Sequence, residues 1–154
     1  MHEHGENAGL AGELTEVGHR LQQRVYYEDT DFSGVVYHAR YLHFFERGRT
    51  DFLRISGVSH TELEAGAHSG PQAEKLVWII RRMEIDYKAP ARIDDVLTIE
   101  TRTLEISGAR IVMGQEIFCE GKLLCVARVE AALINGEGRP RRFPSDWLTA
   151  FQPR

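Results

Sequence analysis

The sequence predicts an α+β domain in which an antiparallel sheet curls around one apolar helix. Three observations carry this. Aromatic residues recur at helical spacing between Tyr41 and Ile55, strand-like segments follow one another from Leu76 to Ile134, and 154 residues with 42% hydrophobic content suit one core.

Residues 1–20, MHEHGENAGLAGELTEVGHR, show no hydrophobic period and are expected to form a mobile tail, leaving 21–154 as a single domain. RVYYEDT, from Arg24 to Thr30, is rich in Val and Tyr and reads as a short strand. Tyr41, Phe44, Phe45, Gly48, Phe52 and Ile55 then share one face of a helix of about four turns, with Arg, Glu and Asp on the other faces. Gly57 is a natural stop for it. Gly48, costly inside a helix by about 1 kcal/mol relative to Ala, marks a close backbone approach to the sheet. The segment from Gly57 to Lys75 has little periodicity and is expected to be a loop or a broken helix.

Beyond it, Met83, Ile85 and Tyr87 alternate with charged residues, and Ala89-Pro90-Ala91 ends that strand. VLTIETRTLEIS (Val96 to Ser107) is the next strand, and Ser107-Gly108 turns into RIVMGQEIFCE. A two-residue turn at Glu120-Gly121 would pair Cys119 with Lys122 and lead into KLLCVARVEAALI, where Leu123, Cys125, Ala127, Val129, Ala131 and Leu133 share a face. The alanines there leave room for something bulky against the sheet. GEGRPRRFP reads as a solvated connection, and a short helix is expected after Pro144.

Composition excludes several functions. Net charge is −4 with acids and bases interspersed, which argues against nucleic acid as a partner. No apolar run approaches the roughly 18 residues of a membrane span and the N-terminus lacks secretion-signal character, so a cytoplasmic location is expected. The turn that separates Cys119 from Cys125 argues against a disulfide, and the seven histidines show no metal-ligand spacing.

The chemistry concentrates in EDTDFSGVVYHARY, Glu28 to Tyr41, where carboxylates precede an apolar turn that feeds the helix. Val36, Tyr37 and His38 occupy the junction where a helix usually carries a Ser, Thr, Asp or Asn cap. Uncapped N–H groups at the positive end of a helix suit a developing oxyanion, and a carboxylate a few residues earlier could attack or deprotonate across the same site. Those are the two halves of ester or thioester hydrolysis. Spacing alone is equally compatible with ordinary turn residues.

VYYEDTDFSGVVYHARYLHFFERGRTDFLR, Val25 to Arg54, resembles the opening motif of the 4-hydroxybenzoyl-CoA thioesterase family, especially its branch associated with the Tol-Pal system. Met83 to Ile134 is similar too, most closely at YKAPARIDDVLTIET. The resemblance implies the hot-dog fold, a curved antiparallel sheet wrapped around one central helix, and hydrolysis of acyl-CoA. It implies that Asp31 is the catalytic carboxylate and that the backbone N–H of His38 polarises the thioester carbonyl. Tyr37 and the His38 imidazole fall in the same motif as substrate-facing groups. Glu46 lies on the same helix, where a related branch places its catalytic acid; a surface carboxylate paired with Arg49 or Arg54 is the plainer reading. Asp29 is expected to be structural. Arg81, Arg82, Arg92 and Arg110 could meet CoA phosphates, but a solvated strand face explains each as well. No metal or redox cofactor is implied, CoA being part of the substrate, and the sheet edges imply a homodimer or homotetramer. Acyl groups on acyl carrier protein are an alternative substrate, and a non-catalytic acyl-binding scaffold is an alternative role.

Overall fold

The structure, a computed structural model, describes residues 12–58 and 74–154. Its main helix, α1 (Arg40–Ile55), buries Tyr41, Phe44, Phe45, Gly48 and Phe52, the stripe expected from spacing. Six strands form one antiparallel sheet: β1 (Glu13–Leu14), β2 (His19–Arg24), β3 (Leu76–Tyr87), β4 (Val96–Ser107), β5 (Arg110–Cys119) and β6 (Lys122–Asn135), in the order β1-β2-β4-β5-β6-β3. A terminal helix, α2 (Ser145–Ala150), follows Pro144. This is the hot-dog arrangement.

The helix lies chiefly over β1, β2 and β4. Gly48 sets that distance. A Cβ there would come within 2.9 Å of Ile99 Cγ2 and 3.0 Å of Thr101 Oγ1, both on β4. Around the contact, Val25, Phe44, Phe45, Leu97, Ile99 and Ile117 are excluded from solvent. A second cluster, containing Phe52, Leu53, Ile111, Leu133, Phe143, Trp147 and Phe151, closes the other end.

Two expectations are corrected. The described part of the expected tail is not a tail: β1 pairs with β2, and β2 pairs with β4 from His19↔Thr101 to Arg24↔Val96. The cause is a polar contact with no periodic signature. His19, fully buried, donates from Nε2 to Asp51 Oδ2 on α1 at 2.7 Å, and the Gly12 N–H donates to the same oxygen at 2.7 Å. RVYYEDT is not a strand either, because β2 ends at Arg24 and Tyr27–Asp29 form a turn of 3₁₀ helix. Here the Asp29 carboxylate accepts the Tyr26 N–H at 2.8 Å, a local side-chain bond that outweighs the β preference of Val and Tyr. Of the segment expected to be a loop or broken helix, residues 59–73 lie outside the described residues.

The strand ladder follows the turn chemistry. Cys119 pairs with Lys122 across Glu120-Gly121, as expected, and both cysteines are free thiols. The shared face of β6 changes phase at its start: the pairing jumps from Phe118↔Leu123 to Ile117↔Cys125, so Leu124 is the extra residue of a bulge and is buried while Leu123 is only partly so.

Candidate active site

The Asp31 turn is built by backbone bonds. The Asp31 N–H donates to Val35 O at 2.8 Å and the Gly34 N–H to Asp31 O at 3.1 Å; Gly34 takes φ +89°, which a side chain would resist. Bridges Thr30↔Val36 and Val35↔Arg92, with the Val36 N–H on Ala91 O at 2.8 Å, stitch the turn to the segment after β3. The chain therefore enters α1 from a fixed loop.

Two carboxylates on this loop have opposite surroundings. Asp29 is 4% exposed and saturated: Oδ2 takes the Tyr26 N–H and Oδ1 is paired with Arg40 Nε at 3.0 Å. Its own carbonyl accepts the Tyr37 N–H at 2.9 Å, so it ties the turn to the helix start. Asp31 is exposed. Its Oδ1 accepts the Ser33 N–H at 2.8 Å and the Ser33 hydroxyl at 2.7 Å, while Oδ2 has no hydrogen bond among the described residues. Those two Ser33 bonds hold its pKa below the ordinary carboxylate value. At neutral pH Asp31 is ionised, with one oxygen anchored and one free.

The helix begins at Arg40, capped by Ala39 with no side-chain cap and no acidic residue in its first turn. His38 thus stands just before the helix and not in its first turn. Among the described residues no hydrogen bond uses the His38 N–H, whereas its carbonyl accepts the Tyr87 hydroxyl at 2.9 Å. A bare amide at the positive end of a helix is an anion donor in waiting. The His38 imidazole is tilted against the Tyr37 ring at 4.7 Å and meets the Tyr87 ring edge-on at 6.4 Å. Val36, His38, Tyr41, Tyr87, Lys88 and Pro90 line a shallow cavity of about 290 Å³.

Asp31, Tyr37 and His38 therefore lie on one loop, and Tyr87 joins them from the end of β3. Sequence reasoning placed Tyr87 only on a strand face; its position directly before Lys88-Ala89-Pro90, where the strand ends, was the available signal. Glu46 is elsewhere. It accepts the Thr50 hydroxyl at 2.8 Å and lines a separate cavity farther along α1. Of the four arginines weighed for CoA phosphates, Arg81 and Arg110 pair with Glu130, and Arg82 pairs with Glu84, as a strand surface does.

A family profile described as thioesterase-like superfamily matches residues 25–151. The chain belongs to that superfamily. It is 40% identical to an acyl-CoA thioesterase, YbgC, of Haemophilus influenzae, over 87% of this chain and 94% of the relative. It is 39% identical to the acyl-CoA thioester hydrolase YbgC of Escherichia coli O6:H1, over 86% and 95%. Among solved structures, a probable thioesterase from Bartonella henselae aligns at TM-score 0.77 and 54% identity, covering 82% of this chain and 99% of that one. This thioesterase thus shares family and fold with enzymes of thioester hydrolysis, and among its described residues no helix is long and apolar enough to cross a membrane.

Proposed function

We propose that this thioesterase hydrolyses acyl-CoA to the free acid and CoA, with Asp31 as nucleophile and the His38 N–H as oxyanion donor. One juxtaposition carries the reading: a carboxylate with a free oxygen and an unbonded amide at a helix N-terminus stand on the same short loop. The acyl-CoA named for both YbgC relatives supports the substrate class.

The chemistry follows from the carboxylate's surroundings. A general base works best with a pKa near the operating pH, and the Ser33 bonds move Asp31 the other way. The same bonds keep Asp31 ionised at neutral pH and orient its free oxygen for direct attack. Asp31 Oδ2 adds to the thioester carbonyl, the His38 N–H stabilises the oxyanion, and the C–S bond breaks to release CoA thiolate. Water then cleaves the mixed anhydride, giving the acid and restoring Asp31. Single-turnover hydrolysis in ¹⁸O-water tests the assignment. An anhydride opened by water at the Asp31 carboxyl carbon leaves ¹⁸O in the protein carboxylate, and one opened at the acyl carbon is detected as acyl-enzyme by rapid quench with hydroxylamine; label only in the product acid together with no trapped acyl-enzyme assigns Asp31 as a base on water.

Thiol release from a panel of acyl-CoAs, repeated with the same acyl groups on acyl carrier protein, tests the substrate. Faster release from the CoA series is expected. Faster release from the carrier protein series would transfer the activity to that substrate, and release from neither would leave a binding or scaffold role.

We also infer a homodimer formed through β3. This strand is twelve residues long, lies at the sheet edge, and leaves Val77, Ile79 and Ile80 39–46% exposed. A long apolar edge needs pairing or cover. Light scattering should give twice the monomer mass or a multiple of it; an active monomer at micromolar concentration would contradict the dimer.

A further inference from the structure

The cavity that Glu46 lines is not the one beside His38. Because α1 covers β1, β2 and β4, the concave face of β6 beyond its middle is left open next to the helix. Ala131 is the reason a hollow forms there. In the sheet it stands between Ile80 on β3 and Ile111 on β5, so a residue ending at Cβ is flanked by two large ones. Leu53, Trp78 and Met113 complete the apolar wall, and Arg49 lays its stem along it while its Nη1 donates to Gln115 Oε1 at 3.0 Å. The volume is about 180 Å³. That is too small for most whole ligands, which occupy roughly 300 Å³ or more, and is suited to one end of a chain.

Its position relative to the reacting atoms is fixed by helical geometry. Within α1, Leu42, Glu46, Thr50 and Leu53 follow one another at spacings of four, four and three, which places them along one stripe, and His38 precedes that stripe by four residues in the turn that leads into the helix. Leu42, the residue between the oxyanion donor and the cavity, is 42% exposed. At 1.5 Å rise per residue, the six helical steps from Arg40 to Glu46 span about 9 Å, and the turn from His38 adds to that.

We propose that this hollow receives the far end of the substrate's acyl chain, making the preferred substrates unbranched acyl-CoAs of medium or greater length, with Ala131 as the residue that admits the chain. The inference rests on the hydrolase reading above. A thioester held at the His38 N–H must carry its chain more than about 9 Å, over Leu42, before it enters the hollow at Glu46. Acetyl, butyryl or a compact aromatic acyl group stops short of it.

The test compares kcat/KM for myristoyl-CoA, whose chain is long enough to enter the hollow, and butyryl-CoA. The wild-type ratio should be at least about tenfold in favour of myristoyl, the scale on which an apolar pocket discriminates. Ala131→Leu, which fills the hollow, should lower that ratio about tenfold, and Leu42→Asn, a surface change that interrupts the path, should lower it in the same direction. Circular dichroism establishes that each variant folds, and should Ala131→Leu fail to fold, Leu42→Asn decides alone. A wild-type preference for butyryl, or a ratio unchanged in the folded variants, overturns the pocket while leaving the hydrolase reading standing. No CoA release from either thioester overturns the hydrolase reading itself.

Discussion

The two ends of α1 treat polar groups in opposite ways. From Phe45 to Asp51 most donors and acceptors meet, although His19 Nδ1 is buried without a partner among the described residues. Asp51 Oδ2 receives both His19 Nε2–H and the Gly12 N–H, and Gln115 Nε2 donates to Phe45 O and Thr101 Oγ1. At its N-terminal end, capacity is left over: the His38 N–H and Asp31 Oδ2 have no partner among the described residues. The difference teaches where to look for chemistry. Bonded buried groups hold the sheet to the helix, and the exposed groups without a partner are the candidates for acting on a substrate.

The predictions divide along that line. Asp31→Asn should lower kcat/KM by a factor on the order of a thousand or more, since the amide keeps the shape but not the attacking charge. Melting temperature should not move, because the carboxylate is exposed. A loss of only a few-fold would remove Asp31 from the chemistry. Next in size is the amide beside it. His38→Pro deletes the N–H and should cost about 3 kcal/mol of barrier, on the order of a hundredfold in rate, whereas His38→Ala keeps the N–H and much of the activity. An alanine variant as slow as the proline variant would move the role to the imidazole.

At the other end the readout is stability. Asp51→Ala leaves His19 Nε2–H and the Gly12 N–H without their acceptor and should cost about 3 kcal/mol, seen as a melting temperature lower by roughly ten degrees. Smaller still is the pH effect of His19. Burial lowers its pKa below the ordinary 6.5, and the bond to Asp51 only partly offsets this. The unfolded chain therefore takes up the proton first, so this contribution is complete above pH 6.5 and declines as pH falls below it. Denaturant midpoints at pH 5.5 and 7.5 should differ less in a folded His19→Phe variant than in the wild type.

How much of this was legible depends on the kind of signal. The α1 stripe, the Gly48 contact and the Cys119↔Lys122 turn were readable because each rests on a period or a local backbone preference. The β2 strand was not. His19 is one polar residue in a polar stretch, and its burial is decided by Asp51, 32 positions away. The bulge at Leu124 was hidden for a related reason, since an alternating pattern gives no warning of a phase change. At the site, the Val25–Arg54 motif pointed to Asp31, Tyr37 and His38, but the contribution of Tyr87 depends on a bond spanning 49 positions. Asp29 was expected to be structural, and its burial beside Arg40 gives that expectation a physical basis.

Asp29 and Asp31 are two residues apart, so they bring the comparison down to a single turn. The most direct measurement pairs the melting temperature with the kcat/KM of Asp29→Asn. Several degrees of destabilisation are expected, from weakening the bonds to Arg40 Nε and the Tyr26 N–H, with most of the rate retained at a temperature where the variant is folded. An Asp29→Asn protein that melts with the wild type yet has lost its activity would contradict the account and make Asp29 the chemical carboxylate.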